Sequence, residues 1–138
     1  MITTSKEDIE RLQENLVTLR TVAGWNAEEF ANSVGVSRQY YSELENNSRK
    51  LTQSLYLAML YIFNEEGKNN KELSDVMKNC LNKEVLTNES CRELSKYISD
   101  ERKRKTNETE AKKKIYGIIG ATAAVSIVGI IVKAIIKK

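Results

Sequence analysis

Few side chains in this sequence are equipped for chemistry. Its 138 residues include no His, no Pro and only two Cys, Cys80 and Cys91. Without His there can be no Ser-His-Asp triad, no Cys-His dyad and no His-ligated metal. The two Cys are too few and too far apart for a zinc or redox motif. Both are expected as reduced thiols packing like small apolar groups. Ser, Thr, Asp and Glu are plentiful, yet no phosphate loop, paired-carboxylate motif or nucleophile elbow accompanies them. The expectation is therefore a non-enzyme that uses no metal and no cofactor. What remains is recognition: donors carried on helices, clustered cations, and one long uncharged stretch.

The charges are unevenly placed. Residues 1–64 carry six cations and eight anions, and residues 65–100 carry the same numbers. Residues 101–138 carry ten cations and three anions, so the basic excess sits entirely there. The start, Met1 through Asp8, is polar and has no apolar signal core, so the N-terminal portion is expected to stay in the cytoplasm.

The elements that must position these groups are helical, since Pro is absent and Gly is scarce. Ser5 with Asp8 three residues on reads as a capping box. Ile9, Leu12, Leu16 and Leu19 follow at helical spacing, and Gly24 suits a left-handed C-cap. Asn26 with Glu29 starts a second helix burying Phe30, Ala31 and Val34, which Gly35 closes. Ser37 caps a third, with Tyr41 and Leu44 inward. Thr52 caps a fourth, with Leu55, Leu60 and Phe63 inward, ahead of a polar loop over Glu65–Asn70. A fifth runs from about Lys71 to Leu81, with Leu73, Val76, Met77 and Cys80 on its stripe. A sixth starts near Asn88, with Cys91, Leu94, Tyr97 and Ile98 inward. From Ser99 to Lys114 the stripe stops, leaving a tether or a solvated helix rich in charge pairs.

Residues 115–132 hold 18 positions without a charge. As one helix they would reach roughly 27 Å, close to the ~30 Å hydrocarbon core of a bilayer. Extension through Lys133 to Ile136 completes the distance if the Lys133 ammonium snorkels. The segment is apolar on every face, and residues 1–98 offer it no obvious matching surface. A single transmembrane helix over 115–136 is therefore expected. Arg102, Lys103, Arg104, Lys105, Lys112, Lys113 and Lys114 precede it, and only Lys133, Lys137 and Lys138 follow. That asymmetry predicts a single-pass, tail-anchored protein of the cytoplasmic membrane, its N-terminal domain in the cytoplasm. The membrane-flanking residues Lys112, Lys113, Lys114 and Lys133 would meet lipid headgroups. Gly117 with Ala121, and Gly120 with Ala124, have the spacing that lets two membrane helices approach closely.

Two short helices joined by a Gly turn, the second capped by Ser, form the helix-turn-helix pattern. Residues 12–63 resemble the lambda-repressor-like, or Xre-type, helix-turn-helix family of bacteria and phages. The stretches carrying the likeness are "LR…AGWN", "EEFA", "VGVSR" and "ELEN", with the basic residues after them. The resemblance implies an all-α fold: a compact five-helix repressor-like bundle over residues 1–82. An amphipathic helix and charged juxtamembrane linker over 83–114 would join it to the membrane helix. It implies that the third helix is a recognition helix. Arg38, Gln39, Tyr40, Ser42 and Glu43 would then face bases in the major groove. Arg suits guanine, Gln adenine, and Glu can accept from cytosine. Ser37, Asn46, Arg49 and Lys50 would hold phosphates, and Arg20 with Glu45 would form an internal ion pair. Two positions depart from the family pattern: Ala27 where a phosphate-binding Gln is frequent, and Asn47 where Gly is frequent.

The reading that gathers most of this is a membrane-anchored DNA-binding transcription regulator. Its partners would be operator double-stranded DNA, membrane lipid and a second copy of itself as a homodimer. With so few cations on the bundle, one copy should bind DNA weakly. The alternative is a membrane-tethered adaptor whose bundle docks a protein partner in an immunity, phage-defence or cell-envelope complex. A membrane-active protein with a cationic-flanked tail is a third reading.

Overall fold

The computed structural model describes residues 5–101, 107–120 and 125–137. They form nine helices: α1 (Lys6–Glu14), α2 (Leu16–Ala23), α3 (Ala27–Val34), α4 (Arg38–Glu45), α5 (Gln53–Gly67), α6 (Lys71–Cys80), α7 (Asn88–Glu101), α8 (Glu108–Ile119) and α9 (Val125–Lys137). No strand occurs among the described residues.

Local chemistry sets the helix starts. The Ser5 hydroxyl accepts from the Asp8 amide while the Asp8 carboxylate accepts from the Ser5 amide. Asn26 and Glu29 make the same reciprocal pair. Ser37, Thr52, Asn70 and Asn107 each cap a helix by accepting from the backbone three residues on. At the other ends, Gly24 (φ 86°) closes α2 and Gly35 (φ 79°) closes α3 in the left-handed region. The first helix of the sequence reading is two helices, because Asn15 interrupts it. Buried Asn15 turns its amide onto the carbonyls of Arg11 and Cys80, the local competition that bends a helix.

One core runs through the molecule. Trp25 stacks on Phe30 and Phe63, and Phe30 meets Tyr41 edge-on at 5.4 Å. Around them Leu12, Leu16, Leu19, Leu44 and Met59 are almost wholly buried. Helix α5 presents Met59 and Phe63 to this core, while Leu55 and Leu60, expected inward, are half-buried. It also extends to Gly67, into the expected loop. Arg11 is 3% exposed and lies at the junction of α1 with the α6–α7 connection. Its guanidinium donates to the carbonyls of Cys80, Asn82 and Leu86 and to the Asn88 side chain. Ser95 on α7 donates to the Glu14 carbonyl, fastening α7 along α1 and α2.

The C-terminal region differs from the expected single helix over 115–136. It is built as two helices, α8 of 12 residues and α9 of 13. Each is about 18–20 Å long. The break is at Gly120, whose φ of 77° and ψ of 169° lie in a region essentially reserved for Gly. The second reason is packing. The apolar residues do have a matching surface: α8 lies on α7, and α9 lies on α2 and α6. Ala111, Ile115 and Ile119 of α8 are buried, as are Ile127, Val128, Ile131, Val132 and Ile135 of α9. No helix among the described residues is long and apolar enough to cross a membrane. The cations expected at 102–105, and Ala121 and Ala124 of the small-residue pairs, lie outside the described residues.

Candidate functional site

Helix α4 owes its orientation to its own sequence. Gly35 makes the turn out of α3, and the Ser37 hydroxyl caps α4 at the Tyr40 amide, 3.0 Å away. Tyr41 and Leu44 point inward with no exposed surface. Helical periodicity then leaves Arg38, Gln39 and Ser42 exposed, with Tyr40 and Glu43 half-buried beside them.

The inner side of α4 is bolted to α2 by a fork. The Arg20 guanidinium donates to both oxygens of Glu45, at 2.7 and 3.2 Å, and to the Trp25 carbonyl at 3.1 Å. The Tyr41 hydroxyl donates to the same carboxylate at 2.6 Å. The Arg20 side chain is 4% exposed and that of Glu45 is 16%. Burial works against the Arg20 charge, but hydrogen bonds to Glu45 and its negative charge outweigh it and raise the pKa. Burial, reinforced by Glu45, drives the Tyr41 phenol well above its ordinary range. An ion pair inside the fold, satisfied on all sides, sets one geometry for α4 relative to α2.

On the outer side, four residues are engaged with one another. The Arg49 guanidinium donates to Glu43 at 2.8 Å and lies over the Tyr40 ring, 4.2 Å from its centre. Gln39 donates to the other Glu43 oxygen at 3.3 Å. The Arg49 hydrogen bond, helped by Gln39, lowers the Glu43 pKa, and the same contact raises that of Arg49. Glu43 and Arg49 are six apart, a spacing that brings no two residues together on a helix. They meet because the chain reverses after α4, with Asn47 at φ 64° and the amides of Ser48 and Arg49 donating to the Glu43 carbonyl.

Gln13 was invisible to motif reading and clamps this loop from α1. It donates to the carbonyls of Leu44 and Arg49 and accepts from the Leu51 amide. A lone Gln on a polar helix face carries no sequence signal for such a role. Asn46 accepts from the Ser48 amide. Arg38 and Lys50 are exposed and have no ion-pair partner among the described residues. Ala27 is buried at the start of α3. Behind Arg38, Ser42 and Asn46 a polar cleft of about 720 Å³ separates α4 from Arg92 and Lys96 of α7. Far from α4, Lys112, Lys113 and Lys114 are exposed on α8. Lys112 pairs with Glu108 at 3.2 Å, and Lys133 of α9 with Glu72 of α6 at 3.5 Å.

The arrangement is thus a capped short helix, tied from within by the Arg20–Glu45 pair, with Arg38, Gln39 and Ser42 exposed on its outer side. Residues 18–75 match the helix-turn-helix family model. The match takes in α3, the Gly35 turn and α4, together with Arg20, Glu45 and the loop that Gln13 clamps. It runs through α5 into α6 and leaves α7 to α9 outside. No curated protein and no solved structure matches the chain.

Proposed function

We propose that this chain is a DNA-binding regulator that reads double-stranded DNA through α4, two copies acting together. The observation that carries the reading is the outward row Arg38, Gln39 and Ser42 at the free N-terminal end of α4. Arg and Gln can each bond a purine edge through two contacts in the major groove. The helix-turn-helix match over residues 18–75 supports it. Ser37, Asn46, Arg49 and Lys50 lie around the ends of α4 and serve as phosphate contacts. Tyr40 and Glu43 complete the reading face. Glu43 also neutralises Arg49, so the free protein offers DNA few unpaired cations here, chiefly Arg38 and Lys50. Weak binding by one copy is the consequence. A second copy on an adjacent half-site supplies the missing affinity.

Selection from a random pool of duplex DNA by the full chain tests the reading, at low salt and again at about 0.15 M salt. Enrichment of a motif with inverted half-sites is expected. Arg38→Ala and Gln39→Ala should each relax preference at one base position, at a cost of about 1–3 kcal/mol. Retention of no duplex at either salt overturns the proposal.

A further inference from the structure

Outside the helix-turn-helix match, α7 and α8 carry cations that no anion engages. Lys96 of α7 and Lys113 and Lys114 of α8 are exposed and have no ion-pair partner among the described residues. Arg49, Arg92 and Lys112, by contrast, are paired with Glu43, Glu14 and Glu108. The three free lysines share one surface with α4. Lys96 borders the polar cleft whose other wall carries Arg38 and Ser42. It also borders a second cleft, of about 500 Å³, between α7 and the Lys113 and Lys114 side of α8. Lys96 is thus the ridge between two clefts, and a line of cations steps from Arg38 over Lys96 to Lys113 and Lys114 at its far end. The helices under that line are fixed to the bundle. Ser95 of α7 donates to the Glu14 carbonyl, and Ser90 donates to the Ile118 carbonyl of α8 at 3.2 Å. Glu93 and Asp100 border the second cleft as well. Their side chains are shorter, and the four-carbon stem of Lys carries its ammonium past them.

This line answers a shortage of charge on the reading side. Residues 1–64 carry six cations against eight anions, whereas a DNA duplex bears one negative charge per ~1.7 Å of its axis. We propose that α7 and α8 extend the DNA-binding surface, Lys96, Lys113 and Lys114 holding phosphates that flank the groove entered by α4. The inference rests on DNA reading by α4. A Lys ammonium grips phosphate as a point charge and reads no base. These contacts therefore add affinity and salt dependence and leave base preference to α4.

The test is binding of the full chain to the duplex it selects, measured at about 0.05 M and about 0.2 M salt. Lys96→Gln, Lys113→Gln and Lys114→Gln combined should keep the selected motif and the circular dichroism of the parent. Over that salt interval the parent should lose about forty times more affinity than this variant, the effect of three phosphate contacts. Lys68, Lys71 and Lys78, all exposed, border neither cleft. Changing these three to Gln removes the same charge and should keep the salt dependence of the parent. The inference is overturned, with reading by α4 intact, if the first variant keeps the parent's salt dependence or if the second loses as much of it. Selection of no duplex by the parent overturns the reading by α4, and this inference with it.

Discussion

Arg20, Glu45 and Tyr41 form a tight polar group behind α4. Glu45→Ala would strand a guanidinium in the interior, and a loss of about 3–5 kcal/mol in unfolding free energy is expected, read from the urea midpoint. Tyr41→Phe removes one hydrogen bond and keeps the ring, so a loss of about 1 kcal/mol is expected from the same measurement. The phenol also sets an alkaline limit. Its pKa is raised in the folded chain, so the folded state holds its proton longer than the unfolded state does. The stability it contributes is complete below about pH 10, the ordinary Tyr value, and falls as pH rises beyond it. Thermal melts of the parent from pH 8 upward should show this decline, and Tyr41→Phe should flatten it. Glu43 offers the opposite kind of experiment. If α4 reads DNA as proposed, Glu43→Gln frees Arg49 and removes an anion from the DNA-facing side, so retention of duplex DNA at low salt should rise several-fold and its salt dependence should steepen. Unchanged retention would mean that the Glu43–Arg49 contact does not compete with DNA.

Gly35 is the joint of the helix-turn-helix. A Cβ added there meets nothing within 4 Å, so any cost of Gly35→Ala comes from the φ of 79° alone. A loss of about 1–2 kcal/mol is expected by chemical denaturation, with the bundle otherwise intact. Element boundaries were legible where a cap and a stripe coincided, as for α3 and α4, and for α6 from its stripe alone. They were less so for α5, whose sequence is apolar nearly all round. There the tilt against the aromatic cluster selected Met59 and Phe63 as inward and left Leu57 and Tyr61 exposed. The break at Asn15 escaped the periodicity of Leu12, Leu16 and Leu19. Its cause is partly remote: the Asn15 amide bonds the Cys80 carbonyl, 65 positions away.

The described residues share one core, yet its parts are unequally fastened. Helices α1 to α7 are tied by the aromatic cluster, by Arg11 and by the Arg20–Glu45 fork. Helices α8 and α9 are held chiefly by apolar rows, with the Ser90–Ile118 hydrogen bond and the Lys133–Glu72 ion pair beside them. Amide exchange in water should therefore be faster in α8 and α9 than in α2 and α5, and equal protection throughout would contradict this unequal fastening. Both thiols are buried, and burial raises their pKa values. Cys80 and Cys91 should thus react slowly with a thiol reagent until the bundle is unfolded.

Composition, caps and glycine positions by themselves pointed to helices, the Gly35 turn and the inward Tyr41 and Leu44 of α4, while the outward place of Arg38, Gln39 and Ser42 came with the family resemblance. These features are local, each set by residues within a turn or two. The partners chosen across the fold were a tertiary matter: Glu43 for Arg49, Gln13 for the loop after α4, Arg11 for the α6–α7 connection. So was the fate of residues 115–136. Hydropathy registers that a segment avoids water, but lipid and a protein surface satisfy it equally well. Only the shape of the face made by α2, α6 and α7, together with the end of α8 at Gly120, decided that its described parts lie on the protein as two helices.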